Sequence, residues 1–202
     1  MLKIGYLGPE GTYSSHAAKL YDDENLKIPF KTINEVLNSL KSTDTDQVIV
    51  PLENSINGSI VEVLDFLASK NNFNIIAELN IEINHSVYSL EKMHFDNVEV
   101  VYSHPQALAQ CYDYLVDNFK NAKHKASNST ADSYNDLINS KEKGVFIGPP
   151  WMKDQEGILV VGENIQSVKN NVTRFVVISN KNINEKTISD KTSIVISFNE
   201  DS

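Results

Sequence analysis

Four short polar clusters hold the side chains with chemical reach. "NNVTRFVVIS", Asn170 to Ser179, sets a threonine hydroxyl beside the only arginine; the other 17 of the 18 Lys+Arg side chains are lysines. A guanidinium offers a planar, two-pronged donor that lysine cannot supply, so this position suits a fork on an anion or on an acid. "PLENSINGS" places Glu53 and Asn54 directly after the apolar run "QVIVPL", where side chains at a strand end reach a crevice. A carboxyl there can deliver a proton if burial raises its pKa. "SHPQALAQC" spaces Gln106 and Gln110 four apart on one helical face, with Ser103 and His104 at the start of that helix. "STADS" puts Ser129 and Thr130 at a further helix start. The chemistry these types suit is capture of a small anion by neutral donors, with a hydroxyl or a carboxyl available to assist proton movement.

Plainer roles account for part of each cluster. Asn57-Gly58 reads as a simple bend. "GYLGPEGT" has glycines at 5, 8 and 11, which is not a dinucleotide spacing, and it reads as a tight strand-to-helix turn. His104 suits a loop histidine satisfied by backbone, and His85, His94 and His124 are scattered. Cys111 lies in an apolar helical stripe with no nearby base, which makes it a core residue. No Cys/His cluster has metal-ligand spacing, so no metal is expected.

The elements that must position these residues repeat as strand, loop, helix. "LKIGYL", "QVIVPL", "VEVVY", "VFIG", "ILVVG" and "VTRFVVIS" read as strands. "SSHAAKLYDDE", the Ile33–Leu40 and Ile60–Leu67 stripes, Leu108–Phe119 and "STADSYNDLINS" read as helices. Thr32 with Glu35, and Ser59 with Glu62, predict capping boxes. Pro105 suits a first helical turn. "NIIAELNIEINHSVYSL" is strand-like with an expected bend. The order predicts α/β layering with mainly parallel strands. In such sheets the ligand crevice lies at the strand carboxyl ends, where helix N-termini offer free N–H groups. Adjacent residues on a regular strand face opposite ways, so Thr173 and Arg174 share the cleft only if the backbone is irregular there. Otherwise Arg174 clamps an acid behind the strand.

Composition narrows the class. With 202 residues the chain can build one sizeable domain or two lobes. A net charge of −9 argues against a general nucleic-acid surface. No apolar run approaches the roughly 20 residues of a membrane span. The N-terminus lacks the pattern of an export signal, and a single cysteine excludes an internal disulfide framework, so a cytoplasmic location is expected.

Taken in order, "GPEGTYSSHAA", "PLENSINGS", "YSHPQALAQC", "STADS" and "NVTRF" resemble prephenate dehydratase over residues 8 to 175. The resemblance implies a two-lobed α/β catalytic domain over 1–185, like a type II periplasmic-binding protein, with the active site in the inter-lobe cleft. It implies one lobe of about 1–79 plus 165–183 and a second of about 80–164. Residues 186–202, with "TSIVISF", would be a linker and the first strand of a truncated ACT regulatory domain. "IEINHSVYSL" and "GVFIGPPWM" depart from the family pattern, both in the implied second lobe.

The implied reaction is decarboxylative dehydration of prephenate to phenylpyruvate in phenylalanine biosynthesis. Aromatisation drives it, so no cofactor is expected. The family assigns departure of the hydroxyl to the threonine of its TRF motif, here Thr173, with Glu53 as a possible proton source. Thr12, Asn54, Ser103, Gln106, Gln110, Ser129, Thr130, Asn171, Arg174 and Phe175 are the implied substrate-binding set. Phenylalanine is the implied effector only where a complete ACT domain is present, and a homodimer or homotetramer is implied. Arogenate dehydration and a non-catalytic small-anion binding module of the same fold stay open.

Overall fold

The computed structural model describes residues 1–69, 73–181, 188 and 190–196. The chain runs β1 (Lys3–Leu7), α1 (Tyr13–Tyr21), β2 (Leu26–Phe30), α2 (Ile33–Lys41), β3 (Gln47–Asn54), β4 (Gly58–Ser59), α3 (Val61–Ala68) and β5 (Asn74–Glu82). It continues through β6 (Ser86–Ser89), β7 (Val100–Ser103), α4 (Pro105–Gln110), α5 (Tyr112–Asn118), β8 (Lys123–Ala126), α6 (Asp132–Asn139), β9 (Gly144–Gly148), β10 (Leu159–Gly162) and β11 (Val172–Ser179).

These strands form two sheets. The first has the order β2-β1-β3-β11-β5, with β4 beside β3; the second has β10-β6-β9-β7-β8. The expected bend in "NIIAELNIEINHSVYSL" is where the chain leaves one sheet for the other: β5 ends at Glu82 and β6 begins at Ser86. β11 returns to the first sheet and inserts between β3 and β5. This is a two-lobed α/β arrangement, with the cleft between the lobes. Both sheets are mixed rather than mainly parallel. β1 runs parallel to β2 and β3, and β7 to β8 and β9, whereas β11 and β6 are antiparallel to their neighbours. The antiparallel members are the strands that follow a crossing, where the chain enters a sheet from the other lobe.

Local chemistry explains the helix starts. Thr32 Oγ1 accepts from Glu35 N at 3.1 Å, and the Glu35 carboxylate accepts from Lys31 N at 2.9 Å. The first satisfies an amide that the first turn leaves free, and the second ties Glu35 back to the residue before the cap. Val36, Leu37 and Leu40 then bury against Val48, Val50 and Leu52 of β3. The second expected capping box does not form. Gly58 and Ser59 pair with β3 as a short strand, Ile60 occupies the cap position, and no side chain caps α3.

The expected Leu108–Phe119 helix is interrupted at Cys111 (φ −106°, ψ 10°) and becomes α4 and α5. Cys111 is fully buried among Val101, Leu115 and Ile147, and burial pushes its thiol pKa up to about 12. At the other end of the chain, Thr192 to Ile196 carry no regular structure and are exposed. The rest of the expected "TSIVISF" strand lies outside the described residues.

Candidate active site

The cleft encloses a cavity of about 490 Å³. From the first lobe, its wall includes Thr12 at the start of α1, Pro51 and Asn54 of β3, and Thr173 and Phe175 of β11. From the second come Gln106 and Gln110 of α4, and Ser129 and Thr130 ahead of α6. Asn171 and His85 enter from the two crossing segments. None of the described lining residues is Asp, Glu, Lys or Arg. Its donors are therefore hydroxyls, carboxamides, the imidazoles of His85 and His104, and backbone N–H groups.

The helix starts are fixed by the residues that line it. Thr12 Oγ1 accepts from Ser15 N at 3.2 Å and caps α1. Ser129 Oγ accepts from Asp132 N at 2.9 Å and donates to the Asp132 carboxylate at 2.9 Å. His104 Nδ1 accepts from Gln106 N at 3.3 Å, so this histidine is satisfied by backbone.

Asn54 organises the floor. Its Oδ1 accepts from Ile56 N and Asn57 N, each at 3.0 Å, which commits the oxygen to the turn after β3. Gly58 closes that turn at φ +79°, a left-handed conformation that a side chain disfavours. The Asn54 amide nitrogen must then face the other way. It donates to Thr173 Oγ1 at 2.9 Å and to Asn171 Oδ1 at 2.6 Å. Thr173 is only 8% exposed. Its oxygen accepts from Asn54, so its own hydrogen is free to point elsewhere.

Two expected site residues face away from the cavity, and one is buried beneath it. Glu53 and Arg174 pair across β3 and β11 on the opposite side of the sheet. They line a separate hollow of about 280 Å³. Arg174 Nε lies 3.4 Å from Glu53 Oε1 without hydrogen-bond geometry, and Nη1 lies 4.0 Å from Glu78 Oε2. The guanidinium thus spreads over two acids instead of forking onto one. β11 is regular here, so the arginine behind the strand follows from simple alternation. Ser103 is fully buried and donates to Ile147 O at 2.9 Å, which ties β7 to β9. Its hydroxyl is occupied by the sheet and does not line the cavity.

The side of the strand that Arg174 occupies makes a measurable distinction. Arg174→Lys is expected to leave KM within about twofold of the parent. It should lower stability by less than about 1 kcal/mol, as partly exposed ion pairs do. Steady-state kinetics with a thermal melt of the same sample checks both. A large rise in KM would put the guanidinium on the substrate.

No spacing signal in the sequence marks His85, which lies at the first crossing and is 3% exposed. The only hint was an Asn-His pair interrupting an otherwise strand-like run. Its Nε2 is 2.9 Å from Gln110 Oε1, and its Nδ1 is buried without a partner. Burial lowers its pKa, with the Gln110 hydrogen bond opposing. The crossings are bound to one another: Ile83 N donates to Asn171 O at 2.7 Å and Ile165 N to His85 O at 2.9 Å. Trp151 joins the lobes elsewhere. Its Nε1 donates to Gly11 O at 3.1 Å, and its ring stacks on His16 with centroids 4.1 Å apart.

Comparison with known proteins bears on this fold and cleft. The chain is 33% identical to the bifunctional chorismate mutase/prephenate dehydratase of Buchnera aphidicola subsp. Schizaphis graminum, over 100% of this chain and 54% of that protein. It is 34% identical to a prephenate dehydratase of Methanocaldococcus jannaschii, over 87% of this chain and 64% of that one. The chain thus spans between about half and two thirds of the length of these curated relatives. The crystal structure of prephenate dehydratase from Arthrobacter aurescens in complex with L-Phe superimposes with a TM-score of 0.77 at 25% identity, over 95% of this chain and 62% of that one. The family model for prephenate dehydratase matches residues 4–183, which takes in every strand residue of both sheets except Lys3 and every lining residue of the cavity, and the chain belongs to the prephenate dehydratase family.

Proposed function

We propose that this cleft converts prephenate to phenylpyruvate, carbon dioxide and water, as a carbon–oxygen lyase. The observation that carries this reading is the Thr173 hydroxyl. It is nearly buried and accepts from Asn54, and it belongs to a cavity with no charged side chain among its described lining residues. Prephenate needs its two carboxylates held and its ring hydroxyl helped to leave. Carboxylates suit hydroxyl, carboxamide and helix N-terminal donors, here the starts of α1 and α6 with Gln106 and Gln110. As carbon dioxide leaves, the electron pair of the broken C–C bond enters the ring and hydroxide departs from the opposite carbon. Thr173 donates a hydrogen bond to that oxygen, whose charge grows in the transition state, and the oxygen takes up one proton to become water. A threonine hydroxyl is a weak acid, so it keeps its own hydrogen, and the proton that completes the departing water comes from solvent.

Glu53 has no place in this step, because it lies behind the strand. The other residues fall into supporting roles: Thr12, Ser129, Thr130, Gln106 and Gln110 hold carboxylates, Asn54 and Asn171 orient Thr173, and Phe175 packs against the ring. The same cavity disfavours arogenate. That substrate carries an ammonium group, and the described lining residues include no carboxylate to pair with it. The test is to incubate the purified chain with each substrate and follow the aromatic product. Turnover of prephenate is expected, with kcat/KM for arogenate lower by about tenfold or more. A folded protein that turns over neither is not this enzyme, and equal turnover of both would remove the specificity argument. The proposal extends to a cytoplasmic homodimer or homotetramer, with phenylalanine acting only where a complete ACT domain is present.

A further inference from the structure

Donors and acceptors along the cleft floor admit one consistent assignment. Asn54 Oδ1 is committed to the amides of Ile56 and Asn57, so the Asn54 nitrogen faces Asn171 and the atom it meets, 2.6 Å away, is Asn171 Oδ1. Asn171 then turns its nitrogen toward Gln110 Oε1, at 3.4 Å. That makes the Gln110 oxygen an acceptor. His85 Nε2, 2.9 Å from the same oxygen, must carry a hydrogen. The other ring nitrogen, Nδ1, is buried without a partner, and a hydrogen there would be stranded away from water. Among the described residues no protein acceptor meets Gln110 Nε2, and Gln110 lines the cavity.

We propose that His85 is a positioning residue. As a neutral imidazole protonated on Nε2, it fixes the Gln110 carboxamide so that both amide N–H bonds are presented to a substrate carboxylate. This rests on the cleft being the prephenate site. The alternative rotamer of Gln110 would turn its oxygen toward the dianion and set its nitrogen against the nitrogen of Asn171. His85 opposes that flip from a fixed place. Its backbone N–H donates to Gln166 Oε1 at 2.9 Å, its carbonyl accepts from Ile165 N at 2.9 Å, and Gln166 Nε2 donates to Asn84 Oδ1 at 2.7 Å. The backbone that carries the ring is thus anchored by the return crossing, while the glutamine it orients belongs to α4. Lowering of the His85 pKa by burial agrees with a neutral ring.

The test combines ring-nitrogen NMR of the wild type at neutral pH with kinetics of two variants. The spectrum should show His85 with a hydrogen on Nε2 and a bare Nδ1; the opposite tautomer or a doubly protonated ring overturns the proposal. His85→Leu is expected to raise KM for prephenate about tenfold with little change in kcat. His85→Gln, whose amide nitrogen can replace Nε2, should bring KM back to within about threefold of the parent. Equal losses in both variants would assign His85 to packing and sink the proposal. If the wild type does not turn prephenate over, the enzyme reading fails by itself. Direct titration of prephenate binding to the same three proteins, with the nitrogen spectrum, then decides the role of His85.

Discussion

Thr173→Ala is expected to bind prephenate nearly as the parent does and to lose about 10²- to 10³-fold in kcat, the usual effect of removing one donor aimed at developing charge. The geometry separates binding from chemistry at this residue. The proposed carboxylate contacts come from the start of α1, from α4 and from the start of α6, none of which touches the Thr173 hydroxyl. The bond from Asn54 Nδ2 to Thr173 Oγ1 disappears, yet the same nitrogen keeps its 2.6 Å bond to Asn171 Oδ1, so no buried donor is wholly stranded. Stability should fall by no more than about 1 kcal/mol. Thr173→Ser restores the hydroxyl and should recover most of the rate. Thr173→Val keeps the shape without the hydroxyl and should be as slow as the alanine variant. A valine variant with normal kcat would show that the hydroxyl has no part in the chemical step.

Asn54→Asp is the second substitution with a large expected effect, because it changes hydrogen-bond polarity with little change of shape. A carboxylate still accepts from Ile56 N and Asn57 N, so the turn after β3 keeps its anchor. The carboxylate cannot donate to Thr173. The threonine hydroxyl would instead donate to it and turn its hydrogen away from the substrate. A loss of about 10²-fold in kcat is expected, with a higher KM as the new charge faces a dianion. Asn54→Ala should differ in kind, losing the turn anchors as well and destabilising the fold by about 1–3 kcal/mol. Denaturant midpoints measured beside kcat separate the two. If the aspartate variant kept its kcat, the direction of the Asn54–Thr173 bond would be irrelevant to the reaction.

Much of the framework was legible because it depends on local chemistry. The Thr32 cap, Pro105 at the first turn of α4, the apolar stripe of α2 and the alternating runs of β3 and β11 all take their state from neighbours in sequence. The polar clusters at strand ends and helix starts were equally visible, and most of them meet at the cavity. What failed had long-range causes. Ser59 was drawn into pairing with β3 before it could cap a helix, and Ser103 was claimed by the carbonyl of Ile147. His85 acquired its surroundings only from the return crossing and from α4.

The sequence by itself determined that a regular β11 would present Thr173 and Phe175 on one face and Arg174 on the other; that the strand entry is regular was decided by its pairing with β5. Which member of Glu53-Asn54 would enter the cleft was decided only by the tertiary structure. Val48, Val50 and Leu52 of β3 bury on the face covered by α2 and α3, whereas Ile49 and Pro51 face the other way. Unbroken alternation would carry Glu53 into the cavity beside Pro51. The pairing of β3 with β11 instead slips at Leu52: Phe175 sits opposite Pro51, and Arg174 already opposite Glu53. That one extra residue reverses the facing of the strand end. It sends Glu53 back to Arg174 and brings Asn54 against Thr173. The slip belongs to neither strand alone, because it exists only once β11 has returned from the second lobe to lie beside β3.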